Sequence, residues 1–284
     1  MFAVALCGRG TITITITIMI MNTSTIPITS AQRTAAKIVG VLYLVQMATG
    51  IFGQAFVRDS LIVAGNADKT AENILAHETL FRLSVVGDLI TYIGVIVLTW
   101  ALYVLLRPIN GKLALLALLL RLVENAVLCM ATVSSLVVLK VLSGADYLKT
   151  FGDSQLHSLA VLALAVQGQG MNVGFILLGL GSAIFAYLLF KSGYVPRWLA
   201  GLGIVGSLLL TFGTLAIIMF PAFGGGMGMA YMLPMGLYEV GLGLWLVTKG
   251  IGEPGSKRPT LNPPSQCFGA AGAQRSTSNA EGTA

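Results

Sequence analysis

Residues 83–139 read LSVVGDLITYIGVIVLTWALYVLL, then RPINGK, then LALLALLLRLVENAVLCMATVSSLVVL, and these three pieces decide the fold. The outer pieces are apolar runs of 24 and 27 residues. About 20 residues of helix, at 1.5 Å each, cross a hydrocarbon core about 30 Å thick, so each run is long enough for one membrane span. Between them Pro108 and Gly111 break a helix, Asn110-Gly111 favours reversal, and Arg107 and Lys112 flank the turn with positive charge. The segment reads as two membrane helices joined by a tight basic turn.

Four further apolar stretches surround this hairpin. They are Ile38–Val57, residues 168–190, Trp198–Phe220 and Met229–Val247. Together the six stretches, each of 19 or more residues, contain only four ionised side chains. The predicted fold class is therefore all-α: a polytopic membrane helix bundle of about six transmembrane helices with short loops. Composition agrees, since 56% of the residues are hydrophobic and 10% charged. A soluble domain carries about 25% charged residues to cover its water-facing surface.

Loops and flanks complete the map. Between the first two spans a polar stretch runs from Arg58 to about His77, with Asp68 or Thr70 placed to cap a helix leading into the second span. From Leu156 to Phe190 no residue is formally charged, and these 35 residues are long for one crossing. Gln167-Gly168-Gln169-Gly170 interrupts them, which predicts a surface helix near 154–166 ahead of the fourth span. Residues 1–32 form a low-complexity N-terminal segment with Thr and Ile alternating from Thr11 to Ile18. An ordinary polar start at Met21 is the expectation for the true N-terminus. The membrane domain is expected over 33–250. Residues 251–284, rich in Pro, Gly and Ser, are expected to form a disordered cytoplasmic tail.

The net charge of +6 does not point to nucleic acid, because the 17 Lys and Arg residues are spread over span ends rather than one basic face. Their distribution predicts orientation instead. Arg33, Lys37, Arg107, Lys112, Lys191, Arg197 and Lys249 fall on one side, which reads as cytoplasmic and holds both termini. On the other side Arg58, Lys69, Lys140 and Lys149 are offset by six Asp and Glu residues from Asp59 to Asp153. Trp100, Tyr103, Tyr187, Trp198 and Trp245 lie near the cytoplasmic ends, as an interfacial belt requires. The predicted location is the cell membrane, with the lipid bilayer as partner. A homo-oligomer or an unknown small-molecule ligand stays open.

Several short motifs resemble one bacterial family. They are Arg58-Asp59-Ser60-Leu61-Ile62-Val63-Ala64-Gly65, Asn73-Ile74-Leu75-Ala76, Phe81-Arg82-Leu83, Ser143-Gly144-Ala145-Asp146-Tyr147-Leu148 and Phe190-Lys191-Ser192-Gly193-Tyr194-Val195-Pro196. In order and spacing these resemble the multi-pass membrane proteins catalogued as domain of unknown function four-three-eight-six. The resemblance implies a common fold and membrane residence and carries over no activity.

The chemistry-bearing candidates are the polar groups inside the spans: Asp88, Arg121, Glu124, Asn125, Gln169, Asn172 and Glu239. A charge at mid-bilayer costs at least about 2.5–3.5 kcal/mol on insertion scales, so it should face the bundle interior with a partner. Arg121 lies roughly 12 Å deep from the cytoplasmic side and Glu239 about 15 Å deep from the other, at nearly the same level. Depth matching predicts that Arg121 faces Glu239, with Glu124 as the alternative partner one helical turn away. Thr132 and Ser135 extend the stripe outward, and Asp88, near the outer end of its span, is shallow enough for hydration.

One reading makes Arg121 a structural staple; the other makes it part of a proton- or ion-coupled site. Catalytic motifs are missing: HExxH and GxSxG do not occur, and Gly87-Asp88 has no second intramembrane Asp to share a proton. Gly201-x-Gly203-x-x-Gly206 lies inside an apolar run with no preceding strand, and Gly170-x-x-x-Gly174 is a close-packing pattern; both read as helix packing. Cys7, Cys129 and Cys267, with the single residues His77 and His157, have no metal-site spacing. No cofactor is expected.

Overall fold

The computed structural model describes residues 28–220 and 230–252, and all the long elements in them are helices. The low-complexity start, the turn from Pro221 to Gly228 and the tail beyond Gly252 lie outside the described residues.

Helix α1 (Ser30–Ile51) begins at a capping box. The Gln32 backbone N–H donates to Thr29 Oγ1 at 3.3 Å, and the Thr29 N–H donates to Gln32 Oε1 at 2.9 Å. Gln32 Nε2 also donates to the Leu105 carbonyl at 3.4 Å and to the Tyr194 hydroxyl at 3.3 Å. The side chain that starts α1 therefore also ties it to two other segments. Helical backbone continues to Leu61, with π-helical turns over Phe52–Arg58.

Helix α2 (Ala67–Ala76) is capped by Asn66, whose Oδ1 accepts from the Lys69 N–H at 2.9 Å. This corrects the cap expected at Asp68 or Thr70. Asn66 has the extended backbone (φ −130°, ψ 97°) that a cap residue needs, whereas Thr70 is buried and accepts from the Val63 N–H at 3.0 Å.

The 65-residue helix Glu78–Leu142 is two helices meeting at Asn110, whose φ of −158° and ψ of 98° are not helical. We name them α3 (78–109) and α4 (111–142). Asn110 Oδ1 accepts from the Leu113 N–H at 3.1 Å, so the residue that ends one helix caps the next. Helix α5 (Asp153–Ser192) stops at Gly193, whose positive φ of 70° suits only a residue without Cβ. Helix α6 (Arg197–Met219) starts just after Pro196, and α7 (Leu233–Thr248) carries Pro234 in its first turn, where a missing N–H costs nothing. Among the described residues five helical stretches are long and apolar enough to cross a membrane. With the hairpin counted as two, the bundle has the six long helices that the sequence predicts.

Helix α5 differs from expectation. There is no surface helix followed by a separate span: Asp153–Ser192 is one helix of 40 residues, roughly 60 Å long. Glycine weakens a helix by only about 1 kcal/mol per residue, and tertiary contacts compensate here. A Cβ on Gly170 would lie 2.6 Å from Ala131 Cβ, and Gln167 accepts a hydrogen bond from α4. At this length α5 exceeds a hydrocarbon core about 30 Å thick, and the excess is at its N-terminal turns. There they join α2 and the ends of α1, α3 and α4 in a small second core of Val57, Leu61, Ile74, Phe81, Val138 and Ala160.

The helices close around a common interior. Helix α1 packs on the α3–α4 hairpin and α7, α7 on α6, and α6 on α5, which returns to the hairpin. Both glycine patterns are packing surfaces. A Cβ on Gly203 would lie 2.5 Å from the Tyr238 ring, one on Gly206 2.8 Å from the Met235 nitrogen, and one on Gly174 2.5 Å from Leu128 Cδ2. Large apolar side chains such as Ile93, Phe212 and Leu237 point outward, whereas Arg121, Glu124, Asn125 and Glu239 are buried. This is the distribution that suits a lipid solvent.

Candidate functional site

The buried ionisable groups lie in two clusters, joined through Tyr92. The inner one is built on α4. Arg121 is 1% exposed, and its Nη1 lies 3.0 Å from Glu124 Oε2, one turn along the same helix. The approach is within ion-pair distance but lacks the alignment of a hydrogen bond, and neither atom has a hydrogen-bond partner among the described residues. Helix α5 makes room for the arginine stem by placing Gly181 against it: a Cβ there would lie 2.9 Å from Arg121 Cγ.

Helix α7 brings Glu239, 5% exposed, and Tyr238 to this cluster, and α1 brings Tyr43. Arg121, Glu124, Glu239 and the two tyrosines all lie within electrostatic reach of Arg121 or one another. Glu239 Oε1 has no hydrogen-bond partner among the described residues.

Depth matching puts Glu239 level with Arg121 and leaves Glu124 as the alternative partner. The structure pairs Arg121 with Glu124, and Glu239 lies within electrostatic reach without an ion pair among the described residues. The reason is local: a carboxylate at i+3 reaches the guanidinium without any constraint from helix packing.

From Glu124 the polar groups continue outward. Asn125 Nδ2 donates to the Tyr92 carbonyl of α3 at 3.0 Å. The Tyr92 hydroxyl lies 3.1 Å from Thr132 Oγ1, and Ser135 donates to Gln167 Oε1 of α5 at 2.6 Å. Each bond joins neighbouring helices, so the stripe read on α4 becomes a set of cross-links.

The outer cluster centres on Asp88 of α3. Its carboxylate pairs with Arg58, a partner the sequence does not reveal; the side chains are 16% and 8% exposed. Arg58 ends the π-helical segment Phe52–Arg58, in which the Asp59 N–H reaches back five residues to the Gln54 carbonyl. The i→i+5 bond takes in one more residue than an α-helical turn does, so the helical phase at Arg58 is shifted from that of α1. Gly53 lies beside the pair: a Cβ there would be 3.3 Å from Arg58 Nη1 and 3.6 Å from Asp88 Oδ1. Tyr92 is within electrostatic reach of both charges and bridges the two clusters.

Of the predicted residues, Arg121, Glu124, Asn125 and Glu239 share the inner cluster and Asp88 lies in the outer one. Gln169 and Asn172 are not brought in. Gln169 is exposed, Asn172 half-buried, and they bond only to each other in the contacts described, at 3.4 Å. The α5 member of the polar core is Gln167, which the sequence reading passed over, as it passed over Arg58, Tyr43, Tyr92 and Tyr238. A signal for Gln167 was present. Gln167, Gly170, Gly174 and Gly181 are spaced 3, 4 and 7 apart, on one helix face, and the glycines of a membrane helix face its neighbours. No such signal marks Arg58, because the π-helical turn shifts its phase.

The arrangement holds one isolated ion pair, Arg58–Asp88, and one guanidinium that pairs with Glu124 and has a second carboxyl group, Glu239, within electrostatic reach. Among the described residues no group of three His, Cys, Asp or Glu side chains stands close enough to hold a metal ion.

Comparison with known proteins places the chain without naming an activity. An uncharacterized protein of Archaeoglobus fulgidus is 26% identical over 171 residues, covering 59% of this chain and 83% of that one. No solved structure matches. The sequence pattern described as Domain of unknown function (DUF4386) matches residues 38–250, three quarters of the chain, and the protein therefore belongs to the DUF4386 family.

Proposed function

We propose that this is a multi-pass protein of the cell membrane, with both termini in the cytoplasm, that serves a binding, scaffold or sensing role. In this reading the polar core fixes the register of the helices rather than lining a transport path. The observation that carries the proposal is the closed state of that core. Arg121 and Glu124 are paired within one helix and at most 2% exposed. The helix packed against them, α5, runs without a break across the whole depth, and carriers place their sites where helices are interrupted at mid-membrane.

Loop charges support the orientation. Arg58, counted on the outer side, is withdrawn into its pair with Asp88, and Lys149 pairs with Asp146 at 2.6 Å. Fewer free positive charges then remain outside. On the opposite side Lys249 lies 4.6 Å over the Trp245 ring, an arrangement suited to the headgroup level.

The alternative, a carrier for a small solute or ion, is favoured by one observation, the unpartnered Glu239 oxygen. Single cysteines at Ser135 and Gln167, in a background lacking Cys7, Cys129 and Cys267, separate the readings. Protection from an impermeant thiol reagent on both sides of the membrane is the result expected for a scaffold. Labelling from either side would favour the carrier.

A further inference from the structure

The inner cluster has unequal charges. Glu239 is 5% exposed, its Oε1 has no hydrogen-bond partner among the described residues, and the cation within its reach, Arg121, is already paired with Glu124 at 3.0 Å. Among the described residues, the groups facing Glu239 supply no second cation. From α1 it meets Tyr43; from α4, Arg121 and Glu124; and on its own helix, Tyr238. Helix α6 carries no ionisable side chain beyond Arg197 at its first residue, and Lys37 of α1 is exposed. In α5 the ionisable groups are Asp153, His157, Tyr187 and Lys191, all near its ends.

Two carboxylates and one guanidinium would leave a net negative charge in a site of low dielectric. Such a charge is normally neutralised by taking up a proton rather than tolerated. A metal ion is the other candidate. It would need several oxygen ligands, and it would sit beside a guanidinium where no trio of suitable side chains exists among the described residues. A proton needs one acceptor lone pair, and Glu239 Oε1 is that acceptor.

We infer that the Arg121–Glu124–Glu239 cluster is a proton-binding site that holds one proton on the Glu239 carboxyl at neutral pH, giving an electrically neutral core. Proton uptake here is protonation of a carboxylate oxygen from water, with no other bond made or broken. The site would make the packing of α7 against α1 and α4 responsive to proton loss, whether or not the protein transports anything.

The test is infrared spectroscopy of the purified full-length protein in a detergent that has no ester or acid carbonyl, at pH 7. A protonated carboxylic acid has a carbonyl stretch resolved from carboxylate bands, and it shifts in D2O. The wild type is expected to show one such band, and E239Q to lose it while melting at the wild-type temperature or above. In E124Q the proton becomes unnecessary, because Glu239 can then serve as counterion to Arg121, so the band should also disappear. Absence of the band from wild-type protein would overturn the inference, and this measurement does not depend on any variant folding. Persistence of the band in a folded E239Q would also overturn it. So would its loss from the wild type on exchange of potassium for sodium at constant ionic strength, which would assign the site to a metal cation. None of these outcomes bears on the accessibility of Ser135 or Gln167, so the scaffold reading fails or stands separately.

Discussion

Replacing Arg121 with methionine keeps an unbranched stem against Gly181 and removes the guanidinium. Glu124, 2% exposed, then has no cation beside it. Stranding one member of a buried pair costs about 3–5 kcal/mol. At about 2–4 °C per kcal/mol for a domain of 150–250 residues, this is a fall of roughly 6–20 °C in Tm. Adding Glu124→Gln removes the stranded charge and is expected to recover at least about 2 kcal/mol, because replacing both members of a buried pair is often close to neutral. Adding Glu239→Gln to Arg121→Met instead should recover less, since the 3.0 Å contact is made by Glu124. Thermal unfolding of these three variants and of the single variants Glu124→Gln and Glu239→Gln in one detergent, with wild type, gives both coupling energies directly. Losses for Arg121→Met and Glu124→Gln that add to within about 0.5 kcal/mol would refute the pairing. A larger rescue by Glu239→Gln than by Glu124→Gln would restore the depth-matched partner.

Three further outcomes follow from the packing and the charge map. Gly203→Ala places a Cβ 2.5 Å from the Tyr238 ring, whereas Gly201 has nothing within 4 Å. Thermal melts should therefore show a loss of about 1–3 kcal/mol for Gly203→Ala, and none for Gly201→Ala. Gln167→Ala leaves the buried Ser135 hydroxyl without its acceptor and should lose about 1–3 kcal/mol, while Gln169→Ala, on the outer face, should stay within about 0.5 kcal/mol of wild type. Reporter fusions after Asn110 and Val195 should give cytoplasmic signals, and those after Asn66 and Gly152 exterior ones; a cytoplasmic signal at Asn66 would overturn the orientation.

Spans were legible in the sequence because hydrocarbon thickness imposes a length on every apolar run, and that constraint does not depend on packing. The Asn110 turn was legible for a similar reason: Pro108, Asn110 and Gly111 act on the backbone locally. Local chemistry misled at Gln167-Gly168-Gln169-Gly170, where two glycines and two amides looked like a break. There Gly170 admits Ala131 of α4, and Gly174 one turn on admits Leu128, so contact energy outweighs the poor helix propensity of glycine. The polar site was partly legible. Buried charges announce themselves by their cost, which identified Arg121, Glu124 and Glu239. Choosing a partner between the last two required helix rotations that depth alone does not supply. Arg58 was read as a loop residue because a π-helical segment cannot be inferred from periodicity, and so the partner of Asp88 was missed.

The most direct measurement is thiol labelling of a single cysteine at Asn125, which lies between the Arg121–Glu124 pair and the Tyr92 bridge and is 4% exposed. Intact cells and inverted vesicles are treated with an impermeant reagent, with and without a transmembrane proton gradient. A closed polar core gives no labelling from either side in either condition. Labelling from one side that switches to the other when the gradient is imposed would contradict it and establish alternating access.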